Sequence, residues 1–335
     1  MIEYVRALPK VELHLHLVGS ATLDTVLELA RRHPEHGVPT DRDELARFYD
    51  FTDFLHFITV YGTVNKLVKT GADVTTLVLG AAAGLAAANA SYAEITVTPF
   101  GHLSTGIDPE ELTEALTVGR KRALDEHGVA LAWIYDIPGG LEPPSREGTI
   151  DWVLRHRPEG SVGFGLGGME LGVSRAAFRR SFDLAASAGL HAVPHAGETV
   201  GPEEIWAALR ELNAVRIGHG VSAVQDPLLL RHLAEHNIPL EVCPTSNQCT
   251  RAVPDLTDHP LPRLLEAGVP VTLATDDPGM FHTDLDREYL LCHELFGLSR
   301  GELADIARTG VRAAFCGQEL KDDLLGRIHA VERAG

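Results

Sequence analysis

Along almost the whole chain, short apolar runs alternate with longer segments of helical pattern, and this alternation constrains the fold more than any other feature. Runs suited to strands occupy Val11–Leu17, Tyr92–Thr98, Ala130–Ile137, Ser161–Gly167, His191–Ala196, Arg216–His219, Leu240–Cys243 and Val271–Thr275. Between them lie helical patterns at Leu23–Arg32, Pro109–His127, Ser174–Ala188, Glu203–Leu212, Pro227–His236 and Leu261–Ala267. Strand and helix in turn predict a parallel sheet, because parallel neighbours must be joined by a crossover that lies on one face. Gly128, Gly189 and Gly268 each stand just before a strand, where a helix end favours a left-handed residue. Eight such alternations predict a closed TIM (β/α)8 barrel. An open dinucleotide-binding sheet would carry GxGxxG after its first strand, and none is there.

The 335 residues suit one such barrel, so a single domain over residues 1–335 is expected, with the helical segment Arg287–Gly335 packed on it. Arg32–Asp43 and Gly139–Arg146 read as loops, and the alanine-rich run Val78–Ala90 as a buried helix against the sheet.

Composition narrows the partners. A net charge of −18 leaves little basic surface to replace counterions on a phosphate backbone, so no nucleic-acid partner is expected. No run of 18 apolar residues is present, so no membrane span is expected. Met1–Lys10 lacks the apolar core of a secretory leader. Cys243, Cys249, Cys292 and Cys316 form no CxxC and read as buried reduced thiols, which predicts a cytoplasmic protein.

In a barrel of this kind, catalytic groups sit at the carboxyl ends of the strands. The ionisable residues of this chain collect there: His14 and His16, His195 and Glu198, His219, then Asp276 and Asp277. Two residues apart on a strand, His14 and His16 face the same side and can share one cation. A third imidazole and a carboxylate from other strands make a donor set suited to one zinc ion per chain, with a water completing the site. Glu198, three residues beyond His195, is placed to shuttle a proton, and His219 to orient or deprotonate the water. Taken singly, each of these residues also has a plain structural reading, such as a core histidine or a helix cap. On four separate strand ends, the structural reading becomes improbable for all of them together.

These residues carry a resemblance. Leu8–Leu17 (LPKVELHLHL), His195–Glu198 (HAGE), Arg216–Gly220 (RIGHG), Glu241–Asn247 (EVCPTSN) and Thr275–Pro278 (TDDP) are similar, in order and spacing, to the adenosine deaminase family. The resemblance implies zinc-dependent hydrolytic deamination of a purine nucleoside. It implies His14, His16, His195 and Asp276 as metal ligands and Glu198 as the group that protonates purine N1. His219 would hold and help deprotonate the water, Asp277 would bond N7, and the Gly168 backbone N–H would meet N3, with His16 also beside the substrate. Binuclear relatives bridge two metals through a modified lysine after strand four. Gly167-Gly168-Met169-Glu170 stands there here, which favours a single metal.

Two departures bear on the substrate. Adenosine deaminases carry an aspartate for the ribose 5′-hydroxyl after HxHL, where this chain has Val18, and an arginine and tyrosine where strand two here ends Thr96-Val97-Thr98-Pro99. A residue that cannot accept a hydrogen bond removes the preference for a hydroxyl. The run His14–Ser20 (HLHLVGS), with Thr52, Asp53, Phe54, His56 and Phe57, resembles the actinobacterial group that deaminates 6-amino-6-deoxyfutalosine on the futalosine route to menaquinone. That substrate bears a carboxyphenyl-ketone extension at C5′. Phe51, Phe54, Phe57 and Tyr61 are the expected apolar wall for it; the sequence names no cation for its carboxylate, Arg146 being one candidate. Adenosine and other 5′-modified adenosines are the alternatives. Rival classes are a barrel hydrolase acting on a lactone or phosphoester and a non-catalytic binding protein that retains the barrel.

Overall fold

Eight parallel strands form the centre of the computed structural model, which describes residues 1–139 and 143–334. They are β1 Lys10–His16, β2 Ala90–Val97, β3 Ala130–Gly139, β4 Ser161–Gly168, β5 His191–Ala196, β6 Ile217–His219, β7 Leu240–Val242 and β8 Val271–Leu273, each paired with the next in parallel. The ring joins where the chain leaves β8. The His16 N–H donates to the Asp276 carbonyl and the Asp276 N–H to the His14 carbonyl, both at 2.9 Å, around a parallel bridge between Leu15 and Asp276. The architecture is the expected TIM barrel.

Helix boundaries follow local chemistry. Leu23–Arg32 begins where the Thr22 side chain accepts from the Thr25 N–H, and Pro109–His127 starts behind Asp108 and ends at Gly128 with φ +69°. The segment expected at Ser174–Ala188 is instead a 3-10 turn, Arg175–Phe178, followed by an α-helix, Arg179–Ser187. The Val78–Ala90 run lies in a longer helix, Gly71–Ala87, opened by a Thr70–Asp73 capping box, and Ala90 already belongs to β2. Arg32–Asp43 is less of a loop than its prolines suggest, since it holds a 3-10 turn at Pro34–His36 and the start of helix Arg42–Phe48. Of Gly139–Arg146, Gly139 ends β3 and helix Pro143–His156 begins inside it, while residues 140–142 lie outside the described residues. The C-terminal segment is helical at Leu285–Phe296, Arg300–Ala313 and Gln318–Ala334. Among the described residues, no helix is long and apolar enough to cross a membrane.

The lumen of the barrel is polar, against the expectation that strands buried on both faces are nearly all apolar. Along β1 the pleat turns Lys10, Glu12, His14 and His16 to one side and Val11, Leu13 and Leu15 to the other, and all are buried. The inward set reaches across the barrel. Arg216 at β6 donates to Glu94 on β2 and, at 2.6 Å, to Glu241 on β7. Glu12 accepts from the N–H and hydroxyl of Thr275 just past β8. Buried charges cost desolvation unless each is paired and hydrogen-bonded, and here each has a partner. This ionic floor underlies the functional groups above it.

Candidate active site at the carboxyl ends of the strands

At the open end of β1, β5 and β8, four side chains converge. The ligand atoms of His14, His16, His195 and Asp276 lie within 4.8 Å of one another, and all four residues are buried. His16 Nε2 stands 3.2 Å from His195 Nε2 and 3.3 Å from Asp276 Oδ1, and His14 Nε2 is 3.5 Å from the same oxygen. His14 Nε2 is buried with no hydrogen-bond partner, so a donor atom aims into the centre of the cluster. Three imidazoles and one carboxylate at this spacing fit one divalent ion of borderline softness.

The supports behind these groups are as specific as the groups themselves. Glu241 accepts from His14 Nδ1 at 2.8 Å, which leaves Nε2 free to face the cluster, and Arg216 holds Glu241 in turn. Ser246 donates to Asp276 Oδ2 at 2.6 Å. Asp276 and His219 both take left-handed backbone, with φ +64° and +59°. Non-glycine residues hold that conformation at a cost, and such strain concentrates at functional sites.

Glu198 and Asp277 flank the cluster as acids. Burial, and then the charges of Asp276 and Glu170, hold the Glu198 carboxyl well above the usual carboxylate range. Burial and the charge of Asp276 raise Asp277 in the same way. Both shifts favour the protonated form, in which each carboxyl can donate a hydrogen bond. His219 sits 3.6 Å from Glu198 Oε2 and 3.8 Å from Asp276 Oδ2, and burial pushes it down to about 3, so its ring is neutral. Gly168, with φ +70°, presents backbone to the cavity; a Cβ there would come within 3.0 Å of the Gly139 backbone. Gly19 is pressed so tightly on Asp277 that a Cβ would meet its Oδ1 at 1.6 Å.

These groups open into one cavity of about 320 Å³. His16, His195, Glu198, His219, Asp276, Asp277 and Gly168 line its inner part; Phe54, Phe57, Ile58, Tyr61, Asn65, Phe100 and Ser104 line its mouth. Phe54, Phe57, Ile58, Tyr61 and Asn65 come from one helix, Phe54–Asn65. Phe51 stands outside this wall and braces it, its ring 5.4 Å from Phe57 and 5.8 Å from Phe281. Two expectations fail. Val18 is 2% exposed, packs in the core and is not among the residues that line the cavity. Arg146 donates to the Ala177 carbonyl and lies over the Phe178 ring, away from the cavity. Among the described lining residues there is no lysine or arginine.

The chain matches the family model described as adenosine deaminase over residues 9–331. It belongs to the adenosine deaminase family. An aminodeoxyfutalosine deaminase from Streptomyces coelicolor is 51% identical over 314 residues, covering 93% of this chain and 81% of the relative. Among solved structures, an adenine deaminase from Arthrobacter aurescens superposes with a TM-score of 0.92 at 30% identity, covering 97% of this chain and 99% of that one. An amidohydrolase from Burkholderia ambifaria with bound Zn superposes at 0.90 and 25% identity, over 99% and 94%. As a member of this family the chain is a metal-dependent aminohydrolase, and the rival readings as another barrel hydrolase or a binding protein fall away.

Several residues at the site have no counterpart in the sequence reading. Glu170 accepts from the N–H groups of Gly197, Glu198 and Thr199 at 2.8, 2.9 and 2.6 Å and so holds the backbone that carries Glu198. Thr250 donates to Glu198 Oε1. Asp136 lines the cavity beside Thr98, which donates to it, and burial pushes its carboxyl up to about 6. The signal for Asp136 was present: it is the lone charge in the apolar run Ala130–Ile137. All four cysteines are free, but Cys249 and Cys316 are half-buried, not buried as expected.

Proposed function

We propose that this protein is a zinc-dependent deaminase that replaces the 6-amino group of an adenine nucleoside with oxygen, and that its substrate is 6-amino-6-deoxyfutalosine, an intermediate on the way to menaquinone. One observation carries the reaction. Two buried carboxyls, Glu198 and Asp277, whose burial favours the protonated form, flank the four-ligand cluster in one cavity with the Gly168 backbone. An adenine ring offers acceptors at N1, N7 and N3, and N1 and N7 lie on either side of the carbon that carries the amino group. Donors from Glu198, Asp277 and Gly168 complement that pattern.

Zinc held by His14, His16, His195 and Asp276 would bring a water to near-neutral acidity and so supply the nucleophile. Glu198 gives its proton to N1, which drains electron density from C6. Left as a carboxylate, it takes one proton from the attacking oxygen. The remaining O–H proton leaves with the amino group as ammonia, the C6 carbonyl forms, and N1 keeps its hydrogen. Asp277 holds N7 and fixes the ring plane. His219 holds the attacking oxygen in place.

The substrate assignment is supported by the cavity mouth and by the relative from Streptomyces coelicolor. Phe54, Phe57, Ile58 and Phe100 provide an apolar wall for an aryl extension. With no lysine or arginine among the described lining residues, Asn65 and Ser104 are the polar side chains available near its end. The net charge of −18 and the free thiols support a cytoplasmic setting with a small-molecule purine nucleoside as partner.

The test is a panel on the zinc-loaded protein, read by the ultraviolet change on deamination: 6-amino-6-deoxyfutalosine, adenosine, 5′-deoxyadenosine, 5′-methylthioadenosine and adenine. Highest kcat/KM on the first supports the whole reading. Preference for adenosine or adenine, the latter being what the Arthrobacter aurescens protein is named for, overturns the substrate but keeps the chemistry. No turnover of any of them with zinc bound overturns both.

A further inference from the structure

Asn247, the last residue of the Glu241–Asn247 motif, has no part in the reaction as described, yet it is fully buried against His219. We propose that Leu261, His259 and Asn247 form a one-way hydrogen-bond relay that keeps the proton of His219 on Nε2, making His219 a donor to the attacking oxygen and not its base.

The direction of the relay is set at its far end. The Leu261 backbone N–H, which can only donate, points at His259 Nδ1 at 3.1 Å. His259 Nδ1 is therefore an acceptor. Burial pushes His259 down to about 4, so the ring is neutral and its single proton sits on Nε2. Nε2 faces Asn247 Oδ1 at 3.2 Å and donates to it. The amide nitrogen of Asn247 then lies on the opposite side, 3.2 Å from His219 Nδ1, and donates there. His219 Nδ1 is thus an acceptor and carries no proton, which leaves the ring's proton on Nε2. Turning the Asn247 amide over would bring two N–H groups face to face at His259. Asn247, His259 and His219 are 0%, 3% and 1% exposed, so water cannot repair that mismatch.

The Nε2–H of His219 points between Glu198 Oε2 and Asp276 Oδ2, the space where the attacking oxygen belongs. It can stabilise charge on that oxygen through the whole reaction without changing its own protonation state. The proton lost from the oxygen goes to the Glu198 carboxylate, and His219 stays neutral. This deepens the reading under Proposed function and rests on it for the reaction, while the tautomer itself does not depend on any substrate.

The experiment is a two-bond 1H–15N correlation spectrum of the 15N-labelled protein, with and without zinc, His219 being assigned by its loss in His219→Ala. The expected pattern is a protonated Nε2 and an unprotonated Nδ1 in both forms. A proton on Nδ1, or on both nitrogens, overturns the proposal. In Asn247→Asp a carboxylate faces Nδ1 and can only accept, so the proton moves to Nδ1. There kcat falls by about 10²-fold, the scale for losing one oxyanion donor, with KM and bound zinc within about twofold. An unchanged tautomer or an unchanged kcat in a folded Asn247→Asp protein overturns the relay. Should that variant fail to fold, the wild-type spectrum alone decides, and it does so whether or not any nucleoside in the panel is turned over.

Discussion

The inner and outer parts of the cavity are held by different forces. Inside, His14, His16, His195 and Asp276 stand on or beside strand ends, and Glu241, Arg216 and Ser246 tie several of them into a buried polar network. Outside, Phe54, Phe57, Ile58 and Tyr61 come from a single helix and are held by ring contacts such as Phe57–Tyr61 and Phe57–Phe281. A directional network loses its function when one partner changes, because the group left behind is buried and unpaired. A wall of apolar contacts tolerates exchange of size and shape at modest cost. In the proposed function the inner part sets which bond is broken, and the outer part which molecule is brought to it.

This contrast can be broken at either end, and the largest effect belongs inside. Glu198→Gln keeps size and hydrogen bonding but not the transferable proton. It should lower kcat by about 10³-fold with zinc content unchanged, measured by steady-state kinetics beside metal analysis. Retention of more than a tenth of the activity would show that another group protonates the ring. Glu241→Gln should weaken zinc about 10- to 100-fold in competition with a chromophoric chelator, through loss of the carboxylate behind His14. Unaltered affinity would mean that the inner network is packing and not tuning.

Glu170→Gln probes the join between chemistry and support. In the proposed mechanism Glu198 acts only when protonated, so activity should be lost as pH rises through its pKa. Burial, Asp276 and Glu170 all hold that pKa up. Removing the Glu170 charge should therefore move the alkaline limb of kcat/KM to lower pH. A limb that stays in place, or moves upward, contradicts the sign. The smallest effect belongs outside. Phe54→Ala should raise KM for a substrate with an aryl 5′ extension by about tenfold, in line with the loss of a buried aromatic contact, and leave adenosine within about twofold. Equal losses on both substrates would mean that the helix Phe54–Asn65 shapes the chemistry as well as the choice.

Much of this protein could be read in its residue order. The barrel was legible because its strands and helices differ in period and length, and helices such as Leu23–Arg32 and Pro109–His127 carry their own caps. The convergence of His14, His16, His195 and Asp276 was legible because strand ends in a barrel share one rim. Val18 and Arg146 misled for a shared reason. β1 ends at His16, so Val18 lies in the turn beyond it, and Arg146 lies on helix Pro143–His156; neither is on a strand whose pleat would aim it at the rim. Val18 lies two residues past His16 but turns into the core, and Arg146 is drawn off by the Ala177 carbonyl.

What the sequence by itself determined is the set of groups able to do the chemistry and the rim on which they meet, since strand period and strand order follow from local pattern. What only the tertiary structure decided is the state in which each group is held. The upward shifts of the Glu198 and Asp277 carboxyls depend on burial beside Asp276, and the grip of Glu170 on the Gly197–Thr199 backbone spans 27 to 29 positions of chain. Protonation and orientation arise from desolvation and from partners distant in sequence, and no local pattern encodes either.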